Sequence, residues 1–420
     1  MEPRRRVRGW LLVAATAAIL GTALGRDSGI RDAATGEAVP GVSLILPAGY
    51  VALSPLSRAL DALSLLSTSQ HIALVASVAL CFVLWRAATA RRHRPVRVVR
   101  ELGLAGTVLG AMAASYGAAA ALPRPMAALQ AAGDDVVRID FHSHTSASHD
   151  ARAAFTAERN RAWHRASGFD VAYVSDHRTY DGAASAALSN PQRSGDGVTL
   201  LSSLEARYRG IYTIVLRLTA ADRHLVDDKQ HLMPGVTRSG REPVSIAVIP
   251  GLLDRDVQRE AVVAPPRLRA IEFVNGSPQA LEQRAREGAM LRARAESLGI
   301  ALVTGTNAHG WGYVAPGWTL LNLPGWRALS SDSLGAAIES ALRRGDRFLA
   351  VERSRFHGED GGIRLALTAG DVLFGTLTHL STAERAAWLL WLWGPGAVGL
   401  LASRRGARQR RDAAATVSPG

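Results

Sequence analysis

Three imidazoles and two carboxylates fall close together in this chain: Asp140, His142, His144, His149 and Asp150. The stretch Asp140-Phe141-His142-Ser143-His144-Thr145 follows an apolar run, Val136-Val137-Arg138-Ile139, that reads as a short β-strand. Residues two apart in an extended strand face the same side, so His142 and His144 project together from the strand's end. Two convergent imidazole nitrogens form half of a transition-metal site and suit zinc, iron or manganese-type ions. Alone, such a pair is more often two ordinary loop histidines.

Later segments place similar chemistry at similar positions. Phe169-Asp170-Val171-Ala172-Tyr173-Val174 is an alternating strand that runs through Ser175 into Asp176-His177. Residues 198–204 form another, ending in Glu205, and residues 301–306 a third, ending in Asn307-Ala308-His309. Helical patterns intervene at 153–165, 278–298 and 331–344, the last with Ser and Asp capping signals. Alternating strands and helices argue an α/β fold. In such folds the C-terminal strand ends gather on one face, where ligands and reacting groups collect. Residues 212–218 and 347–351 read as further strands, 189–197 as a loop, and 220–242 as a polar, irregular insertion bordering the site. There is no internal repeat, phosphate-binding P-loop, dinucleotide fingerprint or Gly-x-Ser-x-Gly elbow.

The strings DFHSHTSASHDA, VSDH, SLEA and GTNAH, in this order, resemble the PHP (polymerase and histidinol phosphatase) family of metal-dependent hydrolases over residues 137–355. The resemblance implies a distorted (β/α)7 barrel holding up to three ions, commonly zinc, manganese or iron. It also implies hydrolysis of phosphomonoesters or phosphodiesters through a metal-bound hydroxide. Carried onto this sequence, His142, His144, Glu205 and Asn307 form one metal site and His149, His177 and His309 a neighbouring one, with Glu205 bridging the ions. Two close cations lower the pKa of a bound water and clamp a phosphoryl oxygen. Asp140 and Asp176 sit beside ligands and are expected to orient imidazoles, with Asp176 entering the catalytic set; turn capping is the alternative role for Asp176. Arg178 is a candidate phosphate clamp, because a guanidinium binds a phosphate through paired hydrogen bonds.

Two departures from the family pattern bear on activity. Ile249 stands where a His-Pro-Gly histidine is usual, and Asn307 where an aspartate is usual. Both changes remove metal-binding capacity or charge, so one or two divalent ions are expected rather than three. Glu272, in Ile271-Glu272-Phe273-Val274-Asn275, falls where the resemblance implies an acidic strand end and is a candidate additional site residue, with a core-adjacent strand carboxylate as the alternative. The expected function is therefore a phosphoesterase acting on a small phosphorylated or other ester substrate. The alternatives are a degenerate module that binds metal or ligand without turnover, and a hydrolase of non-phosphate bonds.

Hydrophobic residues are 48% of the 420, and they concentrate near the chain ends. Apolar runs at 10–25, 65–88, 102–122 and 386–402 approach the length that spans a bilayer. The first reads as an uncleaved anchor in preference to a signal peptide. The domains expected are a membrane region over 1–130 with about three spans, the PHP-like domain at 137–355, a linker at 356–385, a last span at 386–402 and a basic tail at 403–420.

The formal charge of +13 would suggest a nucleic-acid partner, but its location argues otherwise. Of the 49 basic residues, a cluster at 4–8, 86–100 and 404–411 flanks the apolar runs, while the rest of the chain is nearly neutral. That is the positive-inside pattern, so the partner expected is a lipid bilayer and not nucleic acid. It makes this a multi-pass protein of the cell membrane, with residues 137–355 outside the cytoplasm. The single cysteine, Cys81, lies in an apolar run and permits no intrachain disulfide.

Overall fold

The computed structural model describes residues 2–25, 29–89, 98–208, 211–249, 268–355 and 362–395. Twelve strands are named here in chain order. They are β1 (Ile30–Asp32), β2 (Val42–Ile45), β3 (Ala128–Ala131), β4 (Val136–Ser143), β5 (Val171–Val174), β6 (Thr199–Tyr208), β7 (Ile211–Leu216), β8 (Ser245–Ala247), β9 (Leu268–Asn275), β10 (Ala301–Gly305), β11 (Gly317–Asn322) and β12 (Phe348–Arg353). Ten of them form one sheet in the order β1-β12-β11-β4-β5-β6-β7-β8-β9-β10, while β2 and β3 pair separately.

Burial along β4 explains its sequence. Its first residues alternate between buried and half-buried, with Val137 and Ile139 inward and Arg138 held by Asp170. From Ile139 onward every residue is buried, so both faces of the strand end are covered. Val137, Ile139 and Phe141 join Tyr173, Val303 and Trp326 in the largest apolar cluster. Leu334, Ile338 and Leu342 of the helix Ser331–Arg344 pack into the same cluster. That helix begins on a Ser330 side-chain cap and ends at Gly345 with φ +73°, the left-handed geometry glycine favours at a helix end. A second cluster, around Ile271, Phe273 and Leu291, seats the helix Pro278–Leu298 on β9.

The sheet curls until the chain beyond β10 returns to β4. Thr304 donates its backbone N–H to the Thr319 hydroxyl on β11 at 2.8 Å. Asn307 donates its N–H to the His142 carbonyl at 2.8 Å, and His144 donates to the Ala308 carbonyl at 2.9 Å. The fold is α/β, as the alternation implied, but it is not a simple run of seven βα units. β4, β5 and β6 are parallel, as are β8, β9 and β10, yet β7 is antiparallel to both β6 and β8. Antiparallel β11, β12 and β1 extend the sheet beyond β4. The residues between Tyr208 and Ile211 are too few for a crossover helix, so β7 folds back as a hairpin arm.

The N-terminal third is not confined to a membrane region. Ile30 pairs with Arg353 at the edge of the main sheet, and β2 pairs with β3. Between them and the first long apolar helix stands a buried charge cluster. Asp61 accepts from Arg353 at 2.8 Å, from Arg124 at 3.1 Å and from the Tyr50 hydroxyl at 2.7 Å. This carboxylate ties the helix Ser54–Ser64 to β12 and to the chain leaving the second apolar helix.

The helices Thr68–Thr89 and Val98–Ala121 are long and apolar enough to cross a membrane, and they are almost wholly unburied. His71 Nδ1 lies 3.0 Å from the Tyr116 hydroxyl, and Arg86 pairs with Glu101, so the two run antiparallel. The run expected at 10–25 falls within the helix Glu2–Gly21 and the short turn after it. The expected last span is helical over 382–395; its remainder and the 403–420 tail lie outside the described residues. The expected linker contains the helices Gly362–Ala366 and Thr368–Thr378.

Removing one partner of a buried ion cluster strands the others, at a typical cost of about 3–5 kcal/mol. Asp61→Ala is therefore expected to lower the melting temperature of the full chain in detergent sharply. Arg86→Ala, at a half-buried pair that joins only the two apolar helices, should change it less. Equal melting curves for the two variants would contradict the anchoring role of Asp61.

Candidate metal centre

Three strand ends and two loops bring the polar groups together. His142 and His144 leave the end of β4, Glu205 lies in β6, His177 follows β5, and His309 follows β10. Strand alternation sorts the side chains of β4: Val137, Ile139 and Phe141 enter the apolar core, while His142, on the opposite face, joins the polar cluster. The pairing of β4 with β5 shifts register between Asp140 and Ser143.

Two groups of ligand atoms result: His142, His144 and Glu205, and then His144, Asp150, His177 and His309. In the first, His142 Nε2 is 3.0 Å from His144 Nε2 and 3.1 Å from Glu205 Oε2, which is 3.3 Å from His144 Nε2. Tetrahedral bonds of 2.0–2.1 Å set ligand atoms about 3.3 Å apart, so these three atoms stand near the corners of such a tetrahedron. Glu205 Oε2 also approaches His177 Nε2 at 3.2 Å, which places this carboxylate between the groups. Asp150 Oδ2 is 3.4 Å from His177 Nε2 and 3.2 Å from His309 Nε2.

Hydrogen bonds behind the rings decide which nitrogen faces inward. His142 Nδ1 is 3.0 Å from Glu272 Oε2, and Glu272 Oε1 accepts from the Asn275 amide at 2.7 Å. The ring thus carries its proton on Nδ1 and presents the Nε2 lone pair to the centre. His309 Nδ1 donates to the Asn307 carbonyl at 2.8 Å, with the same effect. Gly305 makes room for this arrangement, since a Cβ there would lie 2.2 Å from Glu272 Oε1 and 2.5 Å from His142 Cβ.

Burial and neighbouring charges pull on these groups in opposite directions. Burial opposes ionisation of Glu205, yet His142 and His144 hold its carboxyl well below the usual range. Burial disfavours a charged His142, but Glu272 and Glu205 raise its pKa well above the ordinary value. Burial lowers His309 to about 4. Burial would raise Asp150, but the Ser148 hydroxyl and His309 bring it down to about 2. In addition, buried His144 Nδ1 and Asn307 Oδ1 have no hydrogen-bond partner among the described residues. Converging lone pairs, buried carboxylates and unpartnered acceptors fit a divalent cation.

The expected residues are brought together unevenly. His142, His144, His177, Glu205 and His309 all contribute to the two groups. His149 is exposed, its ring 5.3 Å from that of His177, and Asp150 takes its place. Asp150 had been visible only as an acid beside a histidine. Asn307 lies at the wall, with its amide 3.4 Å from Asn275 Oδ1 and its backbone at φ +51°. Asp176 turns away from the cluster: it accepts the Thr145 N–H at 2.6 Å and hydroxyl at 2.7 Å, fixing the loop after His144. Asp140 likewise touches no ligand ring. It accepts from the N–H groups of His142 and Thr306, from the Thr306 hydroxyl and from His164 Nε2. Ile249 faces apolar packing with Phe273 and Leu291, outside the polar cluster.

Arg178 is exposed at φ +62° on the rim. Sequence reading missed Arg207, whose guanidinium lies 4.9 Å from the Tyr212 ring centre. Tyr212 in turn packs edge-on to His177 at 6.1 Å. Strand alternation alone would not have paired Arg207 with Tyr212, because their pairing depends on the β6–β7 hairpin.

No protein-family model matches the chain, and no curated protein matches it in sequence. Solved structures show a distant likeness. PsfC from Pseudomonas syringae has 14% identity and a TM-score of 0.31, over 50% of this chain and 98% of its own. A proposed metal-dependent phosphoesterase from Bifidobacterium adolescentis has 15% identity and a TM-score of 0.29, over 50% and 96%. An amidohydrolase from Chromobacterium violaceum, with bound sulfate and no metal, has 16% identity and a TM-score of 0.27, over 47% and 96%. These scores lie below the level of a shared fold, and the functional reading rests on the site's own geometry.

Two substitutions test that geometry. Gly305→Ala should displace Glu272 from His142 and weaken metal binding about 10–100-fold, the usual effect of losing a ligand's hydrogen-bond partner. Chelator competition would measure it, and unchanged affinity would refute the role of Glu272. Asp150→Ala should lower bound metal, by elemental analysis, more than His149→Ala does. The reverse order would restore His149 as the ligand.

Proposed function

We propose that this chain is a membrane-anchored, metal-dependent hydrolase of phosphate esters, acting outside the cytoplasm. The observation that carries it is the convergence of four imidazoles with Glu205 and Asp150 at the strand ends. His142, His144 and Glu205, with Asp150, His177 and His309 beside them, would hold a divalent ion, which would supply Lewis acidity for hydrolysis of a phosphate ester. The chain's own groups do the rest. Glu205 holds the two halves of the site together, and Glu272 fixes the His142 tautomer. Arg207 and Arg178 offer guanidinium groups near the rim for an anionic substrate.

The way the apolar helices meet the sheet domain supports this location. Their exposed side chains, among them Ile72, Leu80, Leu84, Leu102 and Leu109, have no protein cover and suit lipid. Trp393 bonds Thr16 at 3.0 Å, and Arg385 bonds Thr22 at 2.8 Å, so the first and last apolar helices also run antiparallel. The ends of these helices remote from the sheet lead, in sequence, to arginine-rich stretches. The positive-inside rule then puts the sheet domain on the opposite, outer side.

A second reading is a module that binds metal without turnover. It is favoured by Ile249, whose apolar packing leaves no ligand at that position.

Full-length protein loaded with zinc, manganese or iron should release phosphate from a panel of monoesters and diesters. Glu205→Gln should cut turnover by orders of magnitude with the fold retained. A wild type that binds metal yet is inert across the panel would favour the binding module. A reporter active only outside the cytoplasm should work when fused after Ala131 and fail after Arg94, and the opposite pattern would place the domain inside.

A further inference from the structure

A cavity of about 490 Å³ joins the metal centre to the apolar helix pair. That volume lies in the range of small-molecule sites. At one end it is lined by Asp150, Asn307 and His309, which belong to the centre or its wall. At the other it is lined by Leu63, Leu65, Tyr116, Ala119 and Ala120. The two ends differ in kind: one gathers ligand atoms, and the other sets leucine and alanine side chains beside Ser64 and the hydrogen-bonded His71–Tyr116 pair.

The depth of the apolar end is informative. Tyr116 lies about 7 Å from the end of Val98–Ala121 at 1.5 Å per residue, and His71 about 4 Å from the start of its helix. The headgroup layer beyond the hydrocarbon core is of that order, roughly 5–8 Å on each side. Trp311 also lines the cavity and is 56% exposed, as tryptophans are at a membrane–water boundary. Its loop is pinned to the helix end: Gly312 donates its N–H to the Ala120 carbonyl at 2.7 Å, and Trp163 Nε1 donates to the Gly312 carbonyl at 3.1 Å.

We infer that the substrate is a membrane lipid bearing a phosphate ester, with the headgroup at the metal centre and the upper acyl chain beside Leu63, Tyr116 and Ala120. The assignment rests on the hydrolytic reading above and narrows it to a bilayer-resident amphiphile. The reaction is hydrolysis: the oxygen of water joins phosphorus, the bond from phosphorus to the lipid alcohol oxygen breaks, and that oxygen takes up a proton. A water-soluble phosphomonoester would occupy only the polar end. The apolar end and its position at the helix termini are accounted for by a chain that stays in the membrane.

The test uses the full-length protein, loaded with manganese, in phosphatidylcholine nanodiscs. Two substrates are compared, dioleoyl phosphatidic acid and p-nitrophenyl phosphate, and a phosphatidic acid with a diazirine high in the acyl chain maps contacts. Crosslinks are expected in peptides covering residues 63–65 and 116–120. Ala120→Trp, which fills the apolar end, should reduce them at least fivefold and lower the lipid-to-soluble ratio of kcat/KM at least tenfold. Leu63→Phe provides a second filling variant, and both are compared with wild type at equal bound metal. Hydrolysis of the soluble ester alone, a ratio unmoved by both variants, or crosslinks only elsewhere on the apolar helices would overturn the lipid assignment and leave the hydrolase reading intact. Crosslinks in the cavity without hydrolysis of either ester would overturn the hydrolase reading, and with it the lipid's role as substrate.

Discussion

The metal centre depends on a seam where the chain after β10 meets the end of β4. Asp140 is the knot of that seam. Its buried carboxylate receives the Thr306 N–H at 2.8 Å and the His142 N–H at 3.1 Å, together with the Thr306 hydroxyl and His164. A buried carboxylate is tolerable only when its lone pairs are occupied, and here they are occupied by the two segments that must be aligned. The backbone bonds from Asn307 to His142 and from His144 to Ala308 follow once that alignment is set. Histidines more than 160 residues apart in sequence thereby face one another; the rings of His144 and His309 stack at 4.0 Å.

Much of the centre was legible because strand ends advertise themselves. An apolar alternating run followed by a polar residue marks a C-terminal strand end, and His142, His177 and His309 stand at or just after such ends; Glu205, read the same way, lies inside β6, which runs on to Tyr208. The helices Pro278–Leu298 and Ser331–Arg344 were equally plain, each bounded by a serine cap and a glycine. What pattern could not supply was the direction of loop side chains. His149 and Asp150 are neighbours on an irregular segment, where no periodicity says which one turns inward. Asp176 raised the same difficulty: standing next to a ligand does not make it point at the metal, and it serves Thr145 instead. The mixed strand directions were hidden for a different reason, since a hairpin arm such as β7 has the same alternation as a parallel strand.

The boundary between the apolar helices and the sheet is built with charge as well as with hydrocarbon. Arg58 bonds Glu384 through Nε at 2.7 Å and Nη2 at 2.8 Å, joining the segment before the first long apolar helix to the segment before the last. Glu384 also accepts from Ser54 at 3.1 Å and caps its own helix through the Ser381 N–H. With Asp61 nearby, two buried carboxylates set where the helices emerge relative to the sheet. Such paired groups are strongly disruptive to break and contribute position more than net stability. Position is what a cavity shared between loops and helices requires.

Strand β1 gives the fold an unusual order of assembly. Ile30 to Asp32 pair with Val351 to Arg353, so this outer strand of the main sheet is synthesised long before its partner. Some 320 residues separate them, and at typical translation speeds that wait is on the order of tens of seconds. Both long apolar helices emerge in the interval. The early strand must therefore wait for β12 beside a growing domain, with local contacts such as the Arg31–Ala38 bridge already within reach. Membrane insertion would shorten that search by holding the waiting strand near the place where its partner appears, turning a contact distant along the chain into a local one.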